Sequence, residues 1–423
     1  MKTKPVLTLL TLLQLHFAAA SRACGSYVAH EWGTFTSVQG ADGVQIEWNP
    51  LLTSELPKFV YDRHRLAAAR GGRIYFPGKD GLATLQRLET PVIYFYSGQE
   101  QSVNVAVNFP QGIVTEWYPR LSRSQAGKAA QVFPGPRTLR WENVRVLPLK
   151  PNDDLARFLP IDKSGSHYYT ARQTDSAFLR VGDDPKSSDQ TELEKFLFYR
   201  GVGSFRAPLT VTQSAGAASI ALQNTGLEEL RHLFLYTVRE GQGKVVTVDR
   251  LAPGENRSVS LETGRNLLPL AALREDISRR LRQALVEEGL YEREASAMVA
   301  TWDDSWFAEQ GVRVLYTLPR AWTDRILPLT LEPKPRELVR VMVGRAELIT
   351  PAMEWELLKQ VVRFADGDET DRVQAVDEAR KLGLGRFLEP TTRRLAAKLP
   401  TREFSKVSWD LLQAASKSRT GGL

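Results

Sequence analysis

The 423-residue chain contains a single cysteine, Cys24, and only five histidines and four methionines. One cysteine allows no disulfide within the chain, so we expect a fold held by its hydrophobic core or by a metal. The sequence also lacks the GxSxG nucleophile elbow, the GxxxxGK[ST] phosphate loop and the GxGxxG dinucleotide loop. These absences remove the usual sequence signals for an α/β-hydrolase, a P-loop nucleotidase and a dinucleotide-dependent enzyme.

Long apolar runs are absent except at the amino terminus. Two lysines precede the apolar residues 6–20, and small residues follow. This run is shorter than the roughly 20 residues that a membrane-spanning helix needs, and its flanks are typical of a secretory signal. We therefore expect residues 1–23 to be a signal peptide, with cleavage after Ala20 or Ala23, and the mature protein to be periplasmic or extracellular. The residues before Cys24 match a lipoprotein signal poorly, so an ordinary signal is favoured over a lipid anchor.

The charge of the chain is moderate and concentrated in two places. Lysine and arginine number 56 against 49 acidic residues, which gives a formal net charge of +7. This charge does not require a nucleic-acid partner, and we expect none. The basic stretches are residues 120–150 and the segment from Thr391 onward. We interpret them as a solvated loop and the outer face of a helix; the alternative is contact with an acidic polymer or, for the C-terminal segment, with lipid headgroups.

The first half of the sequence shows the period-two alternation of β-strands. Residues 102–109 alternate strictly and, with 91–97 and 112–119, predict an antiparallel meander. Further short β-like runs, separated by turn residues, predict an immunoglobulin-like module at 206–264, either separate or part of the same sandwich. The apolar face of the clearest strand is formed by Val103, Val105, Val107 and Phe109.

After Gly264 the apolar spacing becomes helical. Gly289 is a natural stop for the first helix, and a second helix is expected at 292–301. Thr350 and Pro351 predict another helix start, the threonine as cap and the proline at the first helical position. Two β-like runs lie between these helices, at 312–318 and 326–333. The apolar residues of the first helix are Leu270, Leu273, Ile277, Leu281 and Leu285.

These patterns predict an α+β protein. Antiparallel β-sandwich-like portions, one of them immunoglobulin-like, are followed by a mostly α-helical C-terminal portion. The expected divisions of the chain are a signal peptide at 1–23, a β-rich domain at 24–205, an immunoglobulin-like module at 206–264, a mixed segment at 265–350 and a helical segment at 351–423.

Candidate chemistry centres on three glutamates that precede tryptophans in β-like stretches, Glu31, Glu47 and Glu116. Neighbouring residues of a strand face opposite sides, so we expect each tryptophan in the core and each glutamate in solvent. If the glutamates share one face with Glu89, two carboxylates can divide the acid and base roles of glycoside cleavage. The candidate catalytic residues are therefore Glu31, Glu89 and Glu116, with His30 as an assisting group. The simpler interpretation is tryptophan packing with solvated carboxylates.

Two places are candidates for a metal. His30 and Glu31 begin like the zinc motif HExxH, although no histidine follows at the required spacing. Asp303 and Asp304 lie between two tryptophans directly after a predicted helix, where a cation could bind; a turn with an aspartate cap is the simpler interpretation. The sequence otherwise predicts no cofactor, and a divalent metal at His30, Glu31, Asp303 or Asp304 stays an alternative.

Several segments resemble a family of exported bacterial proteins that carries an N-terminal HEWGTFT segment. They are AHEWGTFTSV, ETPVIYFYS, TEWYPR, EKFLFYRGVG, TWDDSWFAEQGVRVLYTLPR and RVMVGRAELITP. The resemblance runs from about Ala29 to Pro351 and covers most of the mature chain. It implies export and one integrated architecture, and it brings no activity, substrate or cofactor.

The sequence therefore favours an exported cell-envelope binding or scaffold protein without catalytic activity, whose partner is an envelope protein or an anionic polymer. The first alternative is a hydrolase that cleaves an envelope or extracellular glycan through paired carboxylates. The second is a metal-dependent enzyme centred on His30 and Glu31. A binding protein predicts that His30, Glu31, Glu89 and Glu116 are dispersed or held in ion pairs, whereas an enzyme predicts that at least two converge in one cleft.

Overall fold

A computed structural model describes most of the chain. The described residues are 26–49, 56–62, 83–122, 136–150, 154–162, 166–182, 191–214, 216, 218–260 and 266–417. The predicted signal peptide at 1–23 lies outside these ranges and stays a prediction, and so does Cys24, where a lipid anchor was the less favoured alternative.

The strands of the described residues are β1 (Tyr27–Gly40), β2 (Tyr61–Asp62), β3 (Gln86–Ser97), β4 (Gln101–Asn108), β5 (Gly112–Tyr118), β6 (Thr138–Leu147), β7 (Phe178–Val181), β8 (Glu192–Glu194), β9 (Leu197–Gly203), β10 (Leu209–Thr212), β11 (Ser219–Asn224), β12 (Leu230–Arg239), β13 (Gln242–Leu251), β14 (Asn256–Ser260), β15 (Leu268–Pro269), β16 (Gly311–Leu318), β17 (Leu329–Glu332) and β18 (Glu337–Ile349). The α-helices are α1 (Leu270–Glu287), α2 (Glu292–Asp303), α3 (Arg320–Ile326), α4 (Pro351–Asp366), α5 (Glu369–Lys381), α6 (Leu388–Lys398) and α7 (Arg402–Lys417). Short 3₁₀ turns lie at Leu155–Phe158, His167–Arg172 and Gly385–Phe387, and a π-helical turn follows α2 at Asp304–Ala308.

The fold is built on a large sheet with the strand order β15-β13-β12-β16-β18-β1-β3-β9-β5-β2. At its centre β1 pairs with β18 in parallel and with β3 in antiparallel orientation. Every residue of β1 is buried, because both faces of the sheet are covered by other layers. A strand of this kind carries no polar solvent face.

Two β-layers and one helical layer enclose this sheet. One face packs against a five-stranded sheet, β17-β4-β6-β7-β8, and a three-stranded sheet, β10-β11-β14. From β1, Ala29 and Phe35 enter this sandwich core. The opposite face packs against α1 and α2, where Trp32 meets Ile277 and Met298. The side chains of β1 therefore alternate between two separate interiors.

Helices α4 to α7 form a C-terminal helical unit with its own core, which includes Leu357 and Leu411. The predicted start of α4 is confirmed, since the Thr350 side chain accepts a hydrogen bond of 3.2 Å from the Met353 backbone N–H. The unit joins the large sheet where the rings of Trp48 and Phe387 lie 5.8 Å apart.

Several local predictions are confirmed together with the α+β class. The alternating residues of β4 and the apolar face of α1 are buried as expected. Gly289, with φ of 107°, ends α1 in a Schellman motif, in which its N–H donates to Val286 O and the Leu290 N–H donates to Leu285 O. None of the helices in the described part of the chain combines the length and apolarity needed to cross a bilayer.

The strands differ from the prediction in three places, two in their pairing and one in their position along the chain. The prediction of a meander is wrong, because β3 and β5 flank β9 in the large sheet while β4 belongs to the five-stranded sheet. The 206–264 block is divided between sheets, since β12 and β13 extend the large sheet. The described part of the predicted basic loop, 136–150, contains strand β6 with Trp141 and Val144 turned inward.

Candidate functional site

The first candidate, His30, lies on the helical side of β1 and forms a buried pair with Glu294 of α2. His30 Nδ1 and Glu294 Oε2 are joined by a hydrogen bond of 2.7 Å, and both side chains are fully buried. The rings of Tyr96 and Tyr291 flank the imidazole, with centroids 5.3 and 4.5 Å away. The histidine is thus packed into the join between the sheet and α2.

Glu31 points into the opposite interior and is held by an ion pair. Arg340 Nε donates to Glu31 Oε2 at 2.5 Å, and the Tyr199 hydroxyl donates to Glu31 Oε1 at 2.5 Å. Burial raises the pKa of Tyr199 well above its usual value, and the Glu31 carboxylate adds to this rise. Because His30 and Glu31 face different layers, they do not converge on one point where an ion could bind.

Glu89 lies on the helical side of the sheet and has three partners. The Thr36 hydroxyl donates to Glu89 Oε2 at 2.7 Å. Glu89 Oε1 contacts Arg87 Nε at 3.0 Å and accepts a hydrogen bond of 2.9 Å from Arg386 Nη1. Burial alone would raise the pKa of Glu89, but the guanidinium groups of Arg87 and Arg386 lower it to about 2. Glu89 is therefore a permanent anion with no proton to donate at neutral pH.

Glu116 is bound in a bidentate ion pair on β5. Arg200 Nε donates to Glu116 Oε2 at 2.9 Å, and Arg200 Nη2 donates to Glu116 Oε1 at 3.0 Å. Both side chains are buried. Such a fork geometry uses both carboxylate oxygens and fixes their orientation.

The ion pairs of Glu89 and Glu116 belong to a larger set of buried charges on the helical side of the large sheet, beside the C-terminal helical unit. Arg345 Nη2 lies 2.8 Å from Glu347 and 2.7 Å from the half-buried Glu309. Among the described residues, five arginines face four glutamates in this set, which gives it a formal net charge of +1. We define this buried charge network as Arg87, Glu89, Glu116, Arg200, Glu309, Arg313, Arg345, Glu347 and Arg386.

Of the three glutamates that were expected to face solvent, Glu31, Glu47 and Glu116, Glu47 alone does so, next to the buried Trp48. It is wrong for Glu31 and Glu116, which are almost completely buried. The reason is that both faces of the large sheet are covered, so alternation moves a side chain from one interior to another.

Asp303 and Asp304 contact the side chains of Arg274 and His167 rather than capping the next element. Arg274 bonds to Asp303 and lies 3.5 Å from Asp304, and His167 Nε2 is 3.8 Å from Asp304. Neither aspartate makes a side-chain cap in the π-helical turn, which corrects the predicted capping role. Within the ranges that the structure describes, no group of three or more histidine, cysteine, aspartate or glutamate side chains is arranged to hold a metal ion.

A cavity with a volume of about 840 Å³ opens between the His167–Arg172 turn, α1 and α2. Its polar wall includes Ser278 and Ser296 together with three arginines. Of these, Arg172 is fixed by Glu194 at 2.6 Å and Arg293 by Asp175 at 2.6 Å, whereas Arg282 is exposed on α1. We name this site the helical pocket; its lining residues are Arg172, Gln173, Thr174, Ser278, Arg282, Arg293, Ser296, Ala297, Val299, Ala300 and Asp303.

Three cations in the described part of the basic C-terminal segment contact neighbouring carboxylates. Arg393 pairs with Glu389 at 2.7 Å, and Arg394 lies 3.0 Å from Asp42. Lys398 also bonds to a carboxylate, that of Glu354. These contacts indicate a structural role for much of this charge, in joining helices to each other and to the end of β1.

The sequence-based reasoning missed the arginines that pair with the candidate carboxylates. Their signal was arginine at strand positions inside otherwise apolar runs, such as Arg200 in FLFYRGVG and Arg340 and Arg345 in RVMVGR. Arginine is rarely buried without a partner, so arginines at these positions predict buried acidic residues elsewhere in the chain.

Comparisons with known proteins identify no family. No family model matches the chain, and no curated protein matches it. Among solved structures, the Fcho1 mu homology domain of Danio rerio with bound Eps15 peptide has a TM-score of 0.31 at 8% identity, over 78% of this chain and 99% of that chain. The yeast delta-COP-I mu-homology domain complexed with a Dsl1 WxWxV peptide has a TM-score of 0.29 at 8% identity, over 77% and 98%. We draw no conclusion from likenesses of this size.

Proposed function

We propose that the chain is an exported protein of the cell envelope that acts by binding and has no catalytic activity of its own. The observation that carries this proposal is the state of the four candidate catalytic side chains. His30, Glu31, Glu89 and Glu116 are all buried, each is paired, and they occupy two different interiors. A general acid or base must reach the substrate, and these groups lie behind packed side chains.

The helical pocket is the place where we propose that the ligand binds. Its volume of about 840 Å³ lies in the size range of small-molecule sites, and its open side can admit part of a longer polymer. The exposed guanidinium of Arg282, the hydroxyls of Ser278 and Ser296, and the fixed Arg172 offer hydrogen-bond donors to oxygen-rich, negatively charged groups. These features support an anionic envelope polymer as the partner.

The exported location in this proposal is supported by the amino-terminal sequence and by the family resemblance. The apolar residues 6–20 and the HEWGTFT-type segments support an exported location, periplasmic or extracellular. A peripheral membrane contact has less support, because only Arg402 and Lys406 of the basic segment are exposed on α7 without a named carboxylate partner among the described residues. We therefore place the binding function in the helical pocket rather than in the C-terminal helices.

The test uses the mature chain, residues 24–423, with fluorescent alginate as the anionic polymer and dextran as the neutral comparison. At 0.15 M salt we expect binding to alginate alone, and Arg282→Gln should weaken it several-fold. Arg239→Gln is the matched control, since Arg239 is exposed on β12 and does not line the pocket. Equal binding by the three proteins, or release of reducing ends from envelope glycans in proportion to protein concentration, would contradict the proposal.

A further inference from the structure

Arg386 is the least satisfied cation of the buried charge network. Its side chain is only 10% exposed, and Nη1 donates to Glu89 Oε1 at 2.9 Å. Its Nε and Nη2 atoms are buried and make no hydrogen bond within the described part of the chain. Nε is 3.9 Å from Glu309 Oε1, which is too long for a hydrogen bond. Two donors of a charged group are thus withdrawn from water without an acceptor.

Arg87 shares the same carboxylate oxygen and shows the same deficit. Arg87 Nε lies 3.0 Å from Glu89 Oε1 but makes no hydrogen bond of good geometry. Burial lowers the pKa of Arg87 to about 10, and the positive charges of Arg200 and Arg386 contribute to this fall. Arg200 and Arg386 therefore lie close enough to Arg87 to repel its guanidinium group, and the carboxylates of Glu89 and Glu116 act in the opposite direction.

A third unsatisfied group lies on β1 at this place. Thr34 Oγ1 is buried without a hydrogen-bond partner in the described residues. In the β1–β3 register Thr34 lies directly opposite Glu89, and Thr36 lies opposite Arg87. Buried polar groups without partners are uncommon in folded proteins, and several at one point indicate a missing acceptor.

We propose that Arg87, Arg386 and Thr34, with Arg200 behind them, form a binding site for a small oxyanion where the large sheet joins the C-terminal helical unit. A tetrahedral oxyanion such as phosphate or sulfate has acceptor oxygens for several donors, and guanidinium groups bind such anions through two parallel hydrogen bonds. Its negative charge would offset the formal net positive charge of the network. The near-complete burial of the side chains selects a free anion over a group carried on a bulky polymer.

This site is separate from the helical pocket and does not depend on the proposed function. It is formed by β1, β3, β9 and the Gly385–Phe387 turn, whereas the helical pocket is formed by α1, α2 and the His167–Arg172 turn. An anion bound here would join Arg386, and with it the C-terminal helical unit, to the large sheet.

The experiment measures phosphate binding to the mature chain by equilibrium dialysis, together with the melting temperature, in chloride buffer of constant ionic strength. We expect one phosphate per chain and a melting temperature that rises to saturation with phosphate or sulfate. Arg386→Gln should reduce the affinity at least ten-fold. Glu89→Gln should raise it, because it removes a competing carboxylate without removing a donor. Arg363→Gln, in the same helical unit but paired with Asp371, is the matched control and should leave the affinity unchanged.

The opposite signs expected for the two variants keep the proposal testable if one of them folds poorly. Arg386→Lys supplies a second variant, which retains the charge but loses the paired donors, and should also bind more weakly. Absence of stoichiometric phosphate and sulfate binding by the wild-type chain would overturn the proposal. So would an equal rise in melting temperature in all variants, which marks a general salt effect. Arg386-dependent binding of polyphosphate without binding of orthophosphate would overturn the assignment to a free anion.

Discussion

Replacing Glu89 by glutamine removes the carboxylate that Arg87 and Arg386 share, and the structure gives the size of the effect. Glutamine has nearly the same shape and retains an acceptor for Thr36, so the change is mainly one of charge. The two guanidinium groups would stay buried, at 5% and 10% exposure, without their common anion. Breaking a buried ion pair by removing one partner costs about 3–5 kcal/mol.

The pKa of Glu89 gives an independent magnitude. The carboxyl has a pKa of about 2 in the folded protein against an ordinary value of 4.5. At roughly 1.4 kcal/mol per pH unit, this difference corresponds to about 3 kcal/mol of stability at neutral pH. Both lines of reasoning lead to a loss of about 3 kcal/mol in the free energy of unfolding for Glu89→Gln.

The pH dependence follows from the direction of this change. A carboxyl whose pKa is lowered by folding stabilises the protein fully above its unfolded value, here 4.5, and loses that contribution as the pH falls towards 2. The difference between wild type and Glu89→Gln should therefore be largest at pH 6–7 and should shrink between pH 5 and pH 2. Urea unfolding followed by the fluorescence of the nine tryptophans measures it. The buffer must contain no phosphate or sulfate.

Glu47→Gln is the control, because Glu47 is an exposed glutamate beside a buried tryptophan. It should change stability by less than about 0.5 kcal/mol. A loss for Glu89→Gln as small as that of the control, or a loss of constant size between pH 7 and pH 3, would refute the reasoning.

Three further predictions concern the fold and are measured by the same urea unfolding. Gly201→Ala should destabilise the protein by about 1–3 kcal/mol, because the added Cβ would lie 2.2 Å from a backbone oxygen of β5. Gly98→Ala is the control, since a Cβ there meets nothing within 4 Å. Equal losses of stability in the two variants would exclude the close strand contact at Gly201. Thr350→Ala should cost about 1 kcal/mol through loss of the α4 cap, and an unchanged midpoint would show that the cap contributes nothing. Ile277→Ala should lower the free energy of unfolding by about 2–5 kcal/mol, because it opens a cavity between α1 and the large sheet. Leu227→Ala, at a side chain that is 81% exposed, should be nearly neutral. Similar losses in the two variants would contradict the assigned burial.

Local structure could be read from the sequence where one element has one buried face. Val103 and Val105 of β4 alternate with polar neighbours, and Ile277 of α1 recurs with its helical partners, so period alone gave the correct faces. The spacing of apolar residues does not determine which strands pair. The three strands that the sequence joined in a meander enter two sheets because β9, about 80 residues further along the chain, inserts between β3 and β5.

The candidate site was harder to predict for a different physical reason. Glu31 pairs with Arg340, and Glu89 with Arg386, across about 300 residues of chain. A lone sequence gives no information on such contacts, and a glutamate beside a tryptophan suggests a solvated face. Only the arginines inside apolar strands indicated that charge is buried in this protein.

The central pairing of β1 with β18 has a consequence for the order in which the chain can fold. The first strand can pair early with β3, but its other edge has no native neighbour until some 300 residues more have emerged. During that interval the free edge of β1 presents unpaired backbone N–H and C=O groups, and such an edge can pair with another chain. For the export that we propose, the consequence is that this edge of β1 stays open until β18 has followed it.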